Sequence, residues 1–301
     1  MHNRRHLLSI SDLTIDDIQH ITKLANQYIV DKFTISDILK NQIIINLFFE
    51  DSTRTLTSFE IAAQSLGAIV INIPIRFSSL NKGEDLKDMI ASLDAMHPLY
   101  MIIRHQDSGM LRILSQYVTS CSVINAGDGR SEHPTQALID YCVITKYKKQ
   151  LEKLKVVICG DILHSRVARS NINLLKMFGV DIRLIAPPTL MYRYSYTEYS
   201  TYYSLIEGIQ DVDVIMLLRL QKERIHSSYY LPSEKEYFYL YGLDSYKLSY
   251  AKSDVLIMHP GPVNRGIEIS HEIHDSIILQ QVQFGIAVRK AILHYYYIIS
   301  L

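Results

Sequence analysis

The sequence predicts an α/β protein of two domains, each a mainly parallel sheet flanked by helices, joined by bridging helices. Three observations carry that reading. Short apolar runs recur along the 301 residues: "QIIINLFF", "GAIVINI", "LYMIIRH", "CSVINAG", "LKVVICG", "VDIRLIAP", "DVDVIMLL" and "SDVLIMHP". Helix-period segments lie between most of them, the alternation expected of strand–helix–strand units. The series also divides. A helix opening at Pro134 and running to about Tyr147 overlaps the charged "KYKKQLEKLK", and a fresh strand–helix series starts at Val156. The expected domains are therefore 1–133 with a C-terminal helix at 284–301, and 134–283.

The first run, Ile43 to Phe49, is short, apolar and β-branched in its first half, as a strand buried on both faces should be. After it, Leu56, Phe59, Ala62, Ala63 and Leu66 recur at helical spacing, and Gly67 stands at a plausible C′ position. Ser52, Thr53, Arg54 and Thr55 then occupy the first turn of a helix that follows a strand. Backbone N–H groups there lack intrahelical partners and the helix dipole favours an anion. Ser or Thr at a cap is commonplace. Several hydroxyls with a guanidinium exceed what capping requires, which favours a phosphate cradle.

Composition narrows the function classes. Hydrophobic content of 48% and charged content of 21% describe a soluble globular protein. Lys+Arg and Asp+Glu both number 31, so any anion site is local and a nucleic-acid partner is not expected. Cys121, Cys142 and Cys159 are scattered in or beside apolar runs without a CxxC pair, which suggests reduced core thiols and a cytoplasmic location. The stretch "MHNRRHLLSI" has no signal-peptide core, and no run approaches membrane-spanning length, so no membrane association is expected. The tyrosine-rich tracts 191–204 and 227–242 lack the interleaved Lys and Arg of a single-strand nucleic-acid groove. They are expected to be solvated helices and loops.

The polar clusters follow the C-terminal ends of the expected strands. They are the Ser-Thr-Arg-Thr run, Arg104-His105, "GDGRSEHPTQ", "GDILHSRVARSN", "RLQKER" and "HPGPVNRG". Ligands of open α/β sheets bind at that edge. Arg54, Arg104, Arg166 and Arg219 each suit bidentate bonds to phosphate or carboxylate. His133 and Gln136 lie on one face at a helix start, with Pro134 at N1. No activated Ser or Cys is apparent. His133, His164 and His259 stand apart from carboxylate or Cys partners, so no metal is expected. "VVICGDILHSRVARSN" sits where a dinucleotide fingerprint would but offers one glycine where that motif needs three.

On these motifs, together with "SSLNKGEDLKD", "MLLRLQKER" and "GIAVRKAIL", the chain resembles the aspartate/ornithine carbamoyltransferase family from its first strand to its last helix. H-S-R-V-A-R-S-N, R-x-Q-x-E-R and H-P-G-P-x-N-R-G resemble the aspartate branch. The ornithine branch typically carries H-C-L-P where His259-Pro260-Gly261-Pro262 stands here. The resemblance implies transfer of the carbamoyl group of carbamoyl phosphate to L-aspartate, an early step of pyrimidine synthesis, without a cofactor.

It also implies residue roles. Ser52, Thr53, Arg54 and Thr55 would bind the phosphate, and Arg104 would bridge phosphate and carbamoyl oxygen. Thr55 and His133 would contact that oxygen, while Gln136 and the backbone at Gly261 and Pro262 would hold the carbamoyl amino group. Arg166, Arg219 and Gln221 would bind the carboxylates of aspartate. Ser79 and Lys82 would reach into the site of a neighbouring subunit in a homotrimer. Regulatory or dihydroorotase chains are further partners the family suggests. Two positions depart from the family: Asp51 and Gln106 each stand where it usually has proline. Asp51 suits a helix N-terminus but lies near the expected dianion. Competing readings are a carbamoyltransferase with another acceptor, such as ornithine, and a non-catalytic scaffold. The Arg166, Arg219, Gln221 and Gly261 pattern opposes the first, and retention of the charged ligand residues opposes the second.

Overall fold

The computed structural model describes residues 6–31, 34–75, 83–191, 199–221, 233–274 and 276–301. The chain forms two compact units, Met1–Cys142 with Gln283–Leu301, and Val143–Val282.

The first unit opens with helix α1 (Ile15–Val30), started by a reciprocal capping box between Thr14 and Asp17. Then follow β1 (Ile43–Phe48), α2 (Thr53–Gln64), β2 (Ile69–Ile73), α3 (Leu86–Asp94), β3 (Tyr100–His105), α4 (Met110–Leu114) and β4 (Ser122–Asp128). Helix α5 (Pro134–Tyr147) carries the chain out of this unit. The four strands are all parallel, in the order β2-β1-β3-β4. β3 is buried throughout and β1 along all but its ends, which explains their nearly continuous apolar runs. β2 is the edge strand and leaves Ile69 and Ile71 exposed.

One core lies against α3 and α4, built from Ile45, Leu47, Ile90, Met101, Ile103, Leu111, Leu114 and Val123. Each such aliphatic side chain contributes about 1.5–3 kcal/mol when fully buried. The α2 face is rotated slightly from its expected position. Phe59, Ala62, Ala63 and Leu66 are buried as expected, but Leu56 is only half-buried while Thr55 and Ser58 turn inward. Gly67 adopts φ +86°, the left-handed conformation expected after a helix end.

The second unit contains β5 (Lys155–Cys159), α6 (Arg166–Met177), β6 (Asp181–Ile185), β7 (Ser200–Tyr202), α7 (Leu205–Gly208), β8 (Val214–Leu217), α8 (Glu234–Tyr241), α9 (Ser245–Leu248) and β9 (Leu256–Met258). Helix α10 (Ser276–Ser300) returns the chain to the first unit. The sheet is again parallel, in the order β7-β6-β5-β8-β9.

All eight apolar runs read from the sequence become strands. The ninth, β7, lies inside the first tyrosine-rich tract and pairs with β6, its Tyr202 ring 5.8 Å from the Arg183 guanidinium. The second tract supplies α8, which buries Tyr237 and Tyr241. The expectation that both tracts are merely solvated is therefore corrected. Tyrosine serves here as a large apolar body with a polar tip, and Tyr241 Oη donates to the Tyr203 carbonyl at 3.1 Å. Among the described residues, no helix is long and apolar enough to cross a membrane.

Candidate active site

Each sheet has one point where the strand order changes direction, and a crevice opens there outside the carboxyl ends of the strands. In the first unit that point lies between β1 and β3. The Phe49 N–H donates to the Arg104 carbonyl at 2.9 Å, tying the two strand ends together. From there Glu50, Asp51 and Ser52 lead into α2. Ser52 is the N-cap residue, yet its side chain makes no capping hydrogen bond. Its hydroxyl is not spent on closing the helix, and the first turn contains no acidic residue. Thr53 and Arg54 are exposed and Thr55 is buried. Hydroxyls, a guanidinium and helix-end amides therefore share one end of α2, an arrangement suited to an anion.

Arg104 pairs with Phe48 at the end of β3. Its guanidinium is largely buried and held on two sides. Nη1 donates to the Ala126 carbonyl at 3.2 Å, and Nη2 lies 3.1 Å from Glu50 Oε2. Beside it, His105 Nδ1 accepts the Asp107 N–H at 3.0 Å, and burial pushes the imidazole pKa down. β4 then turns through Gly129, where a Cβ would stand 2.4 Å from the Ser108 nitrogen, so the turn requires glycine. It delivers His133 to the start of α5. The His133 carbonyl accepts the N–H groups of Gln136 and Ala137, and its buried ring places Nδ1 3.4 Å from Thr135 Oγ1. Pro134 is the first residue of the helix, as expected. Gln136 Nε2 donates to Asp140 Oδ1 at 2.9 Å.

In the second unit the order changes direction between β5 and β8. The Leu218 N–H donates to the Cys159 carbonyl at 2.8 Å. Gly160 has φ +127°, and a Cβ on it would lie 3.0 Å from the Leu218 oxygen, so glycine lets the two strand ends close up. After β5 comes Asp161, fully buried, which accepts from His164 Nδ1 at 2.8 Å and from the Gln221 backbone N–H. Burial raises the Asp161 carboxyl above its ordinary range, and the His164 charge and hydrogen bonds oppose that shift. Ser165 caps α6 by accepting the Ala168 N–H at 3.1 Å, and Arg166, the first residue of α6, is buried.

Arg219 and Gln221 follow β8, half-buried, with Gln221 Nε2 donating to the His164 carbonyl at 3.3 Å. The Leu220 N–H between them donates to Glu268 Oε1 at 3.0 Å. Glu268 also accepts from the Asn264 backbone at 2.6 Å and from Asn264 Nδ2 at 2.8 Å. That pins the loop after β9, where Gly261 at φ +68° donates its N–H to His259 Nδ1 at 2.8 Å and the bond to exposed Pro262 is cis.

Thus Ser52, Thr53, Arg54, Thr55, Arg104, His133 and Gln136 follow the carboxyl ends of the first sheet. Arg166, Arg219, Gln221, Gly261 and Pro262 follow those of the second. Ser79 and Lys82 lie outside the described residues. One expectation is corrected: His164 is not isolated from carboxylates, because Asp161 holds it, and His259 Nε2 stands 3.7 Å from Glu268. Among the described residues, no group of three or more His, Cys, Asp or Glu is placed to hold a metal ion. Sequence reasoning passed over Glu50, Asp161 and Glu268, which hold the site segments in place. The spacing of Asp161 and His164, three apart in the turn before α6, was the one local signal.

Residues 5–146 match the carbamoyl-P binding domain, and residues 152–296 the Asp/Orn binding domain, of the aspartate/ornithine carbamoyltransferases. An aspartate carbamoyltransferase catalytic subunit of Wolbachia sp. subsp. Drosophila simulans is 68% identical over 98% of this chain and 99% of its own length. That of Ehrlichia canis is 56% identical over 96% of this chain and 95% of its own. The crystal structure of Trypanosoma cruzi aspartate transcarbamoylase with carbamoyl phosphate and aspartate superposes with TM-score 0.86 at 28% identity, covering 97% of this chain and 96% of that one. The catalytic subunit of the M. jannaschii enzyme gives 0.82 at 28% identity, covering 96% and 97%. With both domains matched in order along nearly its whole length, the chain belongs to the aspartate/ornithine carbamoyltransferase family.

Proposed function

We propose that the chain is an aspartate carbamoyltransferase, converting carbamoyl phosphate and L-aspartate to N-carbamoyl-L-aspartate and phosphate in pyrimidine synthesis. The supporting observation is that each sheet carries, at its switch point, fixed cations and amide or hydroxyl groups suited to an anionic substrate. Ser52, Thr53, Arg54, Thr55 and Arg104 take the phosphate. Thr55, Arg104 and His133 polarise the carbamoyl oxygen, Gln136 accepts from the carbamoyl amino group, and Arg166, Arg219 and Gln221 take the aspartate carboxylates.

The neutral α-amino group attacks the carbamoyl carbon. The C–N bond forms, negative charge develops on the carbonyl oxygen, and the C–O bond to phosphate breaks. The surplus proton on nitrogen passes to the departing phosphate. Such a site works by alignment and by cations aimed at developing charge, and removing one donor typically costs about 100- to 1,000-fold in rate. The working assembly is a cytoplasmic homotrimer in which Ser79 and Lys82 serve a neighbouring subunit. Carbamoyl phosphate labelled in the carbamoyl carbon, offered aspartate or ornithine, tests the reading. Labelled product is expected with aspartate, and product with ornithine alone or with neither acceptor overturns it.

A further inference from the structure

Asp140 has no part in the chemistry above, yet its carboxylate is fully buried on α5, one turn beyond Gln136. A Gln–Asp pair at this spacing on an exposed helix is an ordinary surface hydrogen bond. Here the carboxylate is out of water, and burying one is costly unless it is hydrogen-bonded and paired. Gln136 Nε2 supplies a hydrogen bond at 2.9 Å. A cation that feels the Asp140 charge is Arg289 on α10, itself buried, packed 5.0 Å from the Phe59 ring and donating to the Gly285 carbonyl. The Asp140 charge raises the proton affinity of that guanidinium, partly offsetting the burial that lowers it to about 10.

An ionised carboxylate only accepts hydrogen bonds, so the amide facing it must present nitrogen. That fixes the flip of Gln136: Nε2 points to Asp140, and Oε1 is left as the acceptor offered to a ligand. We infer that Asp140 is a positioning residue that sets acyl-group specificity, holding the Gln136 amide so that the site selects an acyl phosphate bearing an amino group over one bearing a methyl group. The inference rests on the carbamoyl phosphate reading of this half-site. A site built to accept from N–H strongly rejects an analogue that lacks it.

Two stable probes differ only in that group: phosphonoacetamide carries the amide nitrogen, and acetonylphosphonate carries a methyl in its place. Calorimetry measures both on the intact protein without any acceptor, so the result does not depend on transfer to aspartate. Wild type should bind phosphonoacetamide more tightly. Asp140→Asn replaces an acceptor-only carboxylate by an amide that presents either nitrogen or oxygen, so the orientation of the Gln136 amide is no longer fixed. The preference for phosphonoacetamide should then fall about tenfold, with acetonylphosphonate affinity unchanged within about twofold.

The double variant Asp140→Asn, Arg289→Met removes the guanidinium charge along with the carboxylate and should show a selective loss in the same direction. If the single variant does not fold, the double variant carries the same comparison. Equal weakening of both probes in a folded variant, or an unchanged preference, overturns the inference, because a purely structural residue would not distinguish amide from methyl. A wild type that binds the probes selectively but transfers nothing to aspartate overturns the proposed function while leaving the role of Asp140 standing.

Discussion

Arg104 Nη2 lies 3.1 Å from Glu50 Oε2, so the guanidinium proposed to bridge the phosphate and the carbamoyl oxygen already carries an anion of the chain itself. The Arg104 side chain is 10% exposed and that of Glu50 26%, which keeps the pair partly shielded from salt. A phosphate bound at Arg104 as proposed would compete with this carboxylate.

Glu50→Gln should therefore tighten binding of inorganic phosphate, by about three- to tenfold on the scale of a charge-assisted hydrogen bond. The effect should be larger at low ionic strength. Calorimetric titration with phosphate checks this, and weaker or unchanged binding in the folded variant would show that Glu50 supports the cradle rather than competing for it.

The proposed acceptor groups follow the strands of another sheet, so their loss should be separable. Arg219→Ala removes a guanidinium that follows β8 while leaving α2 and Arg104 untouched. The KM for aspartate should rise about 10- to 100-fold, with carbamoyl phosphate binding nearly unchanged. Steady-state kinetics against each substrate provide the test, and parallel loss of both would remove Arg219 from the acceptor role.

The backbone plan of both units was legible because mostly buried parallel strands leave nearly continuous apolar runs and their helices leave a 3.6-residue period. β7 escaped for a physical reason: it is a three-residue edge strand of Ser, Thr and Tyr, with too little burial to impose a pattern. The site clusters were legible because each follows a strand end in the chain. Glu50 and Glu268 were not. Glu50 meets Arg104, and Glu268 meets Leu220, only through the fold. Periodicity shows which face is buried but not which carboxylate that face will meet.

Asp94 illustrates such an unread carboxylate. At the end of α3 it accepts the N–H groups of Thr119, Ser120 and Cys121 and the hydroxyls of Thr119 and Ser120. Burial alone would raise its pKa, but these hydrogen bonds outweigh burial and lower it well below the ordinary value. A depressed carboxylate contributes stability that is fully present above the unfolded pKa of about 4 and is lost as pH falls toward the folded value. Asp94→Asn should cost about 1–3 kcal/mol at neutral pH. The gap between wild type and variant should narrow progressively below about pH 4. Denaturant titrations across that range decide it, since a gap independent of pH would mean that the carboxylate's charge contributes nothing.

The shared-site proposal makes a prediction about mixed assemblies. Lys82 sits in the polar stretch "RFSSLNKGEDLKD", and a lysine in such a sequence is commonly just solvated. If it instead neutralises phosphate and carboxylate in a neighbouring subunit's site, Arg54→Ala and Lys82→Gln are defects on opposite sides of one interface. Homotrimers of either variant should be nearly inactive. Dissociating and reassembling an equal mixture should regenerate sites that take Arg54 from one chain and Lys82 from the next. In a cyclic trimer assembled at random, about a quarter of the sites are intact, and activity should recover toward about a quarter of wild type. Mixed trimers whose composition is verified by mass spectrometry and which stay inactive would confine Lys82 to its own chain.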